Sequence, residues 1–386
     1  MAKKIKVGII GVGNCFAGLI QGIEYYKKHQ NKTVIGLMHK KLGPYNFDDI
    51  EFTSAFDVGE NKVGESLDKA VYASPNMVNW IKLPKTKTIV KEAPILDGIG
   101  IYVANKIKPI KNPRPIEELE KAIEKEIKKT KTEILVNYLP VGSQKATEFW
   151  ATMALKTNCA LVNCIPAFIA SEKKWAEKFK RKKIPIIGDD IKGQIGATIV
   201  HRVLARLCSN RGTIIDKTYQ INVGGNTDFL NMKEQTRLES KRISKTQAVT
   251  SQLVAEASPH LSPRSASPRS VIENIKPESI YIGPSDFIPF LGNKKLAFIR
   301  LEGRMFADVP FSLELRLDVD DKANSAGIVI DAIRLAKLAQ NKKMGGPIIS
   351  ASAYLMKHPP QQFSDDKARQ MLEVFISGKK ETAVEL

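Results

Sequence analysis

The chain has 386 residues, 43% of them apolar and 26% charged. That balance excludes a globally disordered chain and leaves enough apolar mass for a large core without disulfide or metal staples. Lys+Arg number 60 against 41 Asp+Glu, a formal net charge of +19. Such a charge draws anionic partners, phosphorylated small molecules among them, but is silent on fold.

At roughly 150 residues per domain the length suits two or three folding units. Cys15, Cys159, Cys164 and Cys208 form no CxxC pair, and the Cys159/Cys164 spacing is too wide for a zinc knuckle. Met1-Ala-Lys-Lys runs straight into a strand-like segment with no signal-peptide core. No run reaches the ~18 apolar residues of a membrane span. Reduced thiols in a cytoplasmic protein with no membrane partner are the expectation.

In chain order, Ile5–Ile10 reads as a buried strand and a helical pattern follows from about Ala17 to Lys28. Strands are expected at Glu51–Asp57 and, more weakly, around Thr88–Val90. Ile116–Lys129 is a helix, Glu133–Tyr138 a strand and Ser143–Lys156 a helix. Ala160–Ile165, Glu172–Lys182, Ile184–Gly188 and Gln194–Cys208 continue the strand–helix alternation. This predicts an α/β fold with a doubly wound parallel sheet. After Thr213 strands dominate: Tyr219–Val223, Ser279–Ile282, Ala297–Leu301 and Phe311–Val319. The last alternates strictly, which predicts an open mixed sheet buried on one face, in a second α+β domain. A long helix, Ala326–Asn341, then resumes and is expected to return to the first domain. The expected division is 1–212 plus 320–386 for the first domain and 213–319 for the second. Ser258–Ser270, rich in Pro, Ser and Arg, reads as a mobile surface loop. The basic runs Lys106–Lys131 and Lys173–Lys183 lack interleaved aromatics, so they read as solvated helix faces and no nucleic-acid partner is expected.

Gly11-Val-Gly13-Asn14 follows the first strand and opens a helix, the context of a Rossmann-type phosphate-binding turn. Gly11 permits the tight turn, and Gly13 lets backbone approach a pyrophosphate. The usual third glycine is Phe16, so the fingerprint is incomplete, and a plain tight turn stands beside the cofactor reading. Asp57 ends the second strand, where a ribose-binding acid is expected, but lies 46 residues after Gly11, far beyond the usual ~20. Gly36–Ile50 must then be an insertion. Alternatively, Asp57 is a turn residue at a strand end.

Several segments taken together resemble the bacterial and archaeal branch of the myo-inositol-1-phosphate synthases. They are Gly11-Val-Gly-Asn14-Cys15, Leu96-Asp-Gly-Ile-Gly100, Tyr138-Leu-Pro-Val-Gly-Ser143, Gly188-Asp-Asp-Ile-Lys192, Asn222-Val-Gly-Gly-Asn226-Thr-Asp228, Leu238-Glu-Ser-Lys241-Arg-Ile-Ser-Lys245, Leu301-Glu-Gly-Arg304 and Ser352-Ala-Tyr-Leu-Met-Lys357. The resemblance spans Ile5 to about Ile376. It implies an NAD-dependent isomerase that turns D-glucose 6-phosphate into 1D-myo-inositol 3-phosphate. The steps it implies are oxidation at C5, enolisation, intramolecular aldol closure and re-reduction. It also implies a homotetramer with the second sheet at the subunit interface.

Such chemistry passes through an enolate and an alkoxide on a dianionic substrate, and preorganised ammonium groups suit both. Lys241 and Lys245, four apart, would share a helix face, either as a solvated edge or as a crowded pair with lowered pKa. The resemblance favours the second. It gives Lys241 and Lys357 proton transfer around C5 and C1, and Lys245 and Lys295 the phosphate or the enolate. It matches Asp228 and Asp321 to acids that orient lysines or a divalent or monovalent cation, and Asp190 and Lys192 to positions near the nicotinamide. Gly11, Gly13, Asn14, Cys15 and Asp57 complete the expected cofactor site. Asp320 beside Asp321 reads as a charged turn, with Asn324 a helix cap. Gly193 stands where many relatives carry Ser. The five histidines show no ligand spacing, so the metal reading stays open. An ordinary NAD(P)-dependent dehydrogenase is the alternative enzyme, and a salt-sensitive nucleic-acid binder the alternative outside enzymology.

Overall fold

The computed structural model describes residues 4–29, 33–252 and 275–378; the 258–270 stretch lies outside them. The first strand, β1 (Ile5–Ile10), leads through Gly11–Gly13 into α1 (Asn14–Lys28). The insertion between α1 and the next long strand is a hairpin of two-residue strands, β2 (Lys41–Leu42) and β3 (Tyr45–Asn46), turned at Gly43 with φ +55°. Then come β4 (Ile50–Asp57), α2 (Leu67–Ala70), β5 (Val90–Glu92), α3 (Ile116–Thr130), β6 (Ile134–Asn137), α4 (Gln144–Thr157), β7 (Ala160–Asn163), α5 (Lys173–Arg181) and β8 (Pro185–Ile187).

These strands, with β13 (Gly346–Pro347), form a seven-stranded sheet in the order β13-β8-β7-β6-β1-β4-β5. All its pairings are parallel. Its strands β6, β7 and β8 are nearly continuous apolar runs, buried throughout, because helices cover both faces. On one face, α1, α9 (Asp321–Asn341), α10 (Ile349–Leu355) and α11 (Asp365–Ser377) pack against residues such as Ile9, Val136 and Val162. On the other, α3, α4 and α5 pack around the fully buried Trp150, Phe56 and Phe179. β1 lies between β4 and β6, so chain order reverses at its carboxyl end. A ligand-binding crevice is expected at that point.

The second sheet has the order β10-β9-β11-β12, from β9 (Ile214–Gly224), β10 (Ile280–Phe287), β11 (Lys294–Arg304) and β12 (Pro310–Asp320). β10 runs parallel to β9, and the other pairings are antiparallel, so the sheet is mixed and open. α6 (Ala197–Asn210) and α8 (Glu239–Thr250) cover one face through Ala205 and Val249, which meet Ile215, Ile299 and Leu301, with Leu313 and Leu315 of β12 alongside. A short helix, α7 (Thr227–Asn231), follows β9 and is capped by Asn226. Among the described residues no helix is long and apolar enough to cross a membrane.

α9 follows β12 directly and carries the chain back onto the first sheet. Its Arg334, fully buried, bonds to Asp331 one turn earlier and donates to the carbonyls of His39 (2.7 Å) and Lys40 (3.1 Å). The pair ties α9 to the insertion. Removing one partner of a buried ion pair strands the other, at about 3–5 kcal/mol. Arg334→Ala should therefore lower the unfolding free energy by that amount, read as a reduced urea midpoint.

Candidate active site

At the carboxyl ends of β1, β6, β7 and β8 opens a cleft of about 1000 Å3, counting its mouth. It includes Cys15, Tyr138, Cys164 and Asp190 from the first sheet's loops, and the start of α6, which packs on the second sheet. Five lysines and three aspartates line it: Lys241, Lys245, Lys295, Lys322 and Lys357 against Asp190, Asp228 and Asp321. The formal surplus is two positive charges, the complement of a phosphate dianion.

The cofactor side is local. Gly11 has φ +88°, and a Cβ there would sit 3.0 Å from the Tyr138 carbonyl oxygen, so only glycine fits without strain. Gly13 has an ordinary φ, but a Cβ on it would point into space with nothing within 4 Å. The first turn of α1 holds no acid and no side-chain cap, so its amides are free to meet an anion. Asn14 accepts from Met77 N (2.6 Å), while its buried Nδ2 has no partner among the described residues. Phe16, at the third glycine position, is buried edge-on against Phe52.

Asp57 sits at this turn, at the end of β4. Its carboxylate accepts from the amides of Val12, Val58 and Gly59, each at 2.8 Å. Both oxygens are thus engaged by backbone, and Asp57 braces the glycine turn itself. Lys62 helps from the other side, donating to the Val12 carbonyl (2.9 Å).

The chemical side centres on Asp190. One oxygen accepts from Lys241 (2.9 Å) and Lys357 (3.0 Å), the other from the Ser244 hydroxyl (2.6 Å). Burial pushes this carboxyl up, but the two ammoniums and the hydroxyl outweigh it and hold it well below the ordinary carboxylate range. Lys241, Ser244 and Lys245 lie within one turn of α8, so one helical face delivers all three. Burial also lowers Lys357 to about 8, Asp190 opposing and Lys241 and Lys295 adding to it. Lys245 is buried and falls well below the ordinary lysine value, through burial and then the neighbouring Lys295, Lys241 and Lys357. Its ammonium has no hydrogen-bond acceptor among the described residues.

On the opposite wall Lys295 donates to Asp321 (3.1 Å). Lys322 is fully buried and donates to Asp228 (2.6 Å), Asp321 (3.4 Å) and the Cys15 thiol (3.5 Å). Burial raises Asp321, yet Lys295 and Lys322 bring it far below normal. Burial pushes the Cys15 thiol to about 11, with Lys322 working against it. Asp228 and Asp321, the sequence's candidate cation pair, are thus bridged by an ammonium. Asp320 rather than Asn324 caps α9, accepting from Lys322 N and Ala323 N. Asn324 instead fixes the loop before α6, bonding both ways to Ile195. A side chain at Gly193 would start 2.7 Å from Asn324 Nδ2, which suits glycine there.

Of the expected site residues, the structure brings Asp190, Asp228, Lys241, Lys245, Lys295, Asp321, Lys357 and Cys15 into one cleft. Lys192, expected near the nicotinamide, does not line the cleft. Its buried ammonium donates to the Ala353 carbonyl (2.9 Å) and Asp365 (3.3 Å). Lys322 and Ser244 were not foreseen. A lysine in the first turn of α9 opposes the helix dipole, a sign that a nearby acid must hold it. Ser244 lies at i+3 from Lys241, on the face already singled out.

Fold and site together define a Rossmann-type dinucleotide-binding protein with a lysine-rich anionic-ligand cleft at its topological switch point. A family model, myo-inositol-1-phosphate synthase, matches residues 196–322. The chain is 49% identical over 381 residues to the inositol-3-phosphate synthase of Mycolicibacterium smegmatis, covering 98% of this chain and 99% of that one. It is also 49% identical to the inositol-3-phosphate synthase of Mycobacterium tuberculosis, over 98% and 97%. The chain belongs to the inositol-3-phosphate synthase family. Among solved structures, a myo-inositol-1-phosphate synthase-related protein from Thermotoga maritima superposes with TM-score 0.76, at 22% identity over 97% of this chain and 98% of that one. Inositol-3-phosphate synthase from Caenorhabditis elegans gives 0.74, at 14% identity over 98% and 86%. These two bear on the fold.

Removing the Asp190 charge should leave Lys357 among cations alone, which favours its neutral form. Asp190→Asn is expected to bring the Lys357 midpoint below about 8, measured by pH-dependent amine labelling of that lysine.

Proposed function

We propose that this chain converts D-glucose 6-phosphate to 1D-myo-inositol 3-phosphate with NAD as its cofactor. The supporting observation is one cleft walled by a dinucleotide-type glycine turn and by a lysine cage around Asp190, in a chain 49% identical to inositol-3-phosphate synthases over nearly its full length. Gly11, Gly13, the first-turn amides of α1 and Asn14, with its unpartnered Nδ2, fit a dinucleotide. Bound there, NAD supplies the hydride acceptor for oxidation and returns the hydride at the end, so no net cofactor reduction results.

The chain's own groups do the rest. The start of α6 offers uncapped amides at Ala197–Ile199, and Lys245 has no acceptor among the described residues, so these hold the substrate phosphate. Lys357, near neutrality in pKa, and Lys241 move protons around C5 and C1, steadied by Asp190. Lys295 and Lys322 place positive charge where the enolate and alkoxide develop, and Asp321 and Asp228 keep both ammoniums aimed. A further cation would be held at Asp228, whose side chain is 39% exposed, with water filling its other positions.

In this reading residues 1–212 with 320–386 form the cofactor domain, which also supplies Asp190, Asp321, Lys322 and Lys357 to the cleft, and residues 213–319 serve catalysis, through Lys241, Lys245 and Lys295, and assembly. The outer face of the second sheet presents Tyr281 and Phe298, 50% and 38% exposed, and packs against other copies in a homotetramer. Sedimentation should return four times the chain mass, and a monomer would refute that assembly. We place the reaction in the cytoplasm, in keeping with four unpaired cysteines.

Purified protein with NAD+ and glucose 6-phosphate tests the main reading, followed by phosphorus NMR and absorbance at the NADH band. Inositol phosphate with no net NADH supports it; steady NADH accumulation with an oxidised sugar would instead mark a dehydrogenase. In that assay Lys241→Ala and Lys357→Ala should remove most turnover and spare NAD binding, whereas Asp57→Ala should weaken NAD binding by loosening the turn. The neutral Lys357 amine is the base, so kcat/KM should rise through an apparent pKa near 8 as pH increases. A flat profile between pH 7 and 9 would remove Lys357 from that role.

A further inference from the structure

Behind the cleft lies a second charge cluster, built on Arg202, Asp365 and Lys192, whose charged side chains bond to neither the glycine turn nor the cage lysines. Arg202, on α6 and completely buried, bonds to the Ala248 carbonyl at the end of α8 and to Ser251 Oγ (3.3 Å). Its other nitrogens donate to the Phe363 carbonyl (3.1 Å) and to both oxygens of Asp365 (3.0 and 3.2 Å). It also reaches Gln362 Oε1 (3.4 Å), and Gln362 donates in turn to the Lys357 carbonyl (2.8 Å). Asp365 takes Lys192, two residues past Asp190, as its second partner.

Each arm ends on a segment that carries cleft chemistry. The start of α6 lines the phosphate side, α8 carries Lys241, Ser244 and Lys245, and Gln362 holds the backbone of Lys357. We propose that Arg202 is a positioning residue, which locks α6, α8 and the Lys357 segment into one register behind the cleft. The inference deepens the proposed function, since it rests on the roles given there to Lys357 and the α8 lysines. A guanidinium can serve these separate acceptors at once, and an ammonium on a flexible stem cannot.

Arg202→Lys therefore keeps the charge and removes the lock. Gln362→Ala removes only the arm to Lys357, with no charge change at a half-buried position. Trace acetylation of Lys357 across pH, read by peptide mass spectrometry, reports its midpoint without any turnover. The charged and titratable groups that face this ammonium are Asp190, Lys192, Lys241, Lys245, Lys295, Asp321 and Cys164, and both variants leave all of them in place. The wild-type midpoint is expected near 8. Looser packing admits water to the ammonium, so both variants should raise the midpoint, Arg202→Lys by about one unit. Arg202→Lys should also lower kcat by on the order of 100-fold, since an ångström of misplacement has that effect. NAD affinity should hold. Arg334→Lys on α9 supplies the control for plain destabilisation: a lower melting temperature with the midpoint unmoved. An unchanged Lys357 midpoint in folded Arg202→Lys or in Gln362→Ala overturns the proposal; if Arg202→Lys does not fold, Gln362→Ala decides. Absence of synthase turnover in the wild type would instead defeat the functional reading, and the labelling would still decide whether Arg202 and Lys357 are coupled.

Discussion

A carboxylate buried among ammonium groups governs this molecule. Asp190 is almost inaccessible, and without Lys241, Lys357 and Ser244 its charge could not survive there. The lysines depend on it equally, because Lys245 and Lys357 are otherwise repelled by each other and by Lys295. The result is a rigid set of cations with a surplus of two, held open toward a ligand that supplies two negative charges. Lowered lysine pKa values follow from burial first and then from the same crowding, so one arrangement binds an anion and keeps an amine near the pH where it can take a proton.

The scaffold explains why the arrangement forms where it does. Asp190 follows β8 of the parallel sheet, the glycine turn follows β1, and both open on the edge where chain order reverses. α6 and α8 pack on the second sheet and bring their chemistry from above. β12 runs directly into α9, which passes back beneath the first sheet, so Asp321 and Lys322 stand at the junction of the two. The glycine turn, Asp190 and the cleft lysines therefore meet in one region without sharing a segment.

What could be read from the sequence follows the range of the interactions. The glycine turn, the strand–helix alternation and the alternating β12 strand are set by neighbours a few residues apart, and they were legible. Phe16 spoiled the glycine fingerprint because it serves the core against Phe52, a demand no local pattern reveals. The cleft lysines were named only through resemblance, since spacing alone allowed Lys241 and Lys245 a solvated edge. Lys322 escaped because its partner Asp228 lies 94 residues away. Lys192 was as hard to read: its partners, the Ala353 carbonyl and Asp365, lie 161 and 173 residues away. Asp57, read as a ribose ligand or a turn residue, is seen bracing the turn through three amides.

The central claim is that oxidation, ring closure and reduction occur on one substrate held in one cleft. Glucose 6-phosphate deuterated at C5, turned over with unlabelled NAD+, tests it most directly. The account predicts inositol phosphate that retains the deuterium at the corresponding carbon, because the hydride removed is the hydride returned. Product depleted of deuterium, with label in the free cofactor pool, would contradict it.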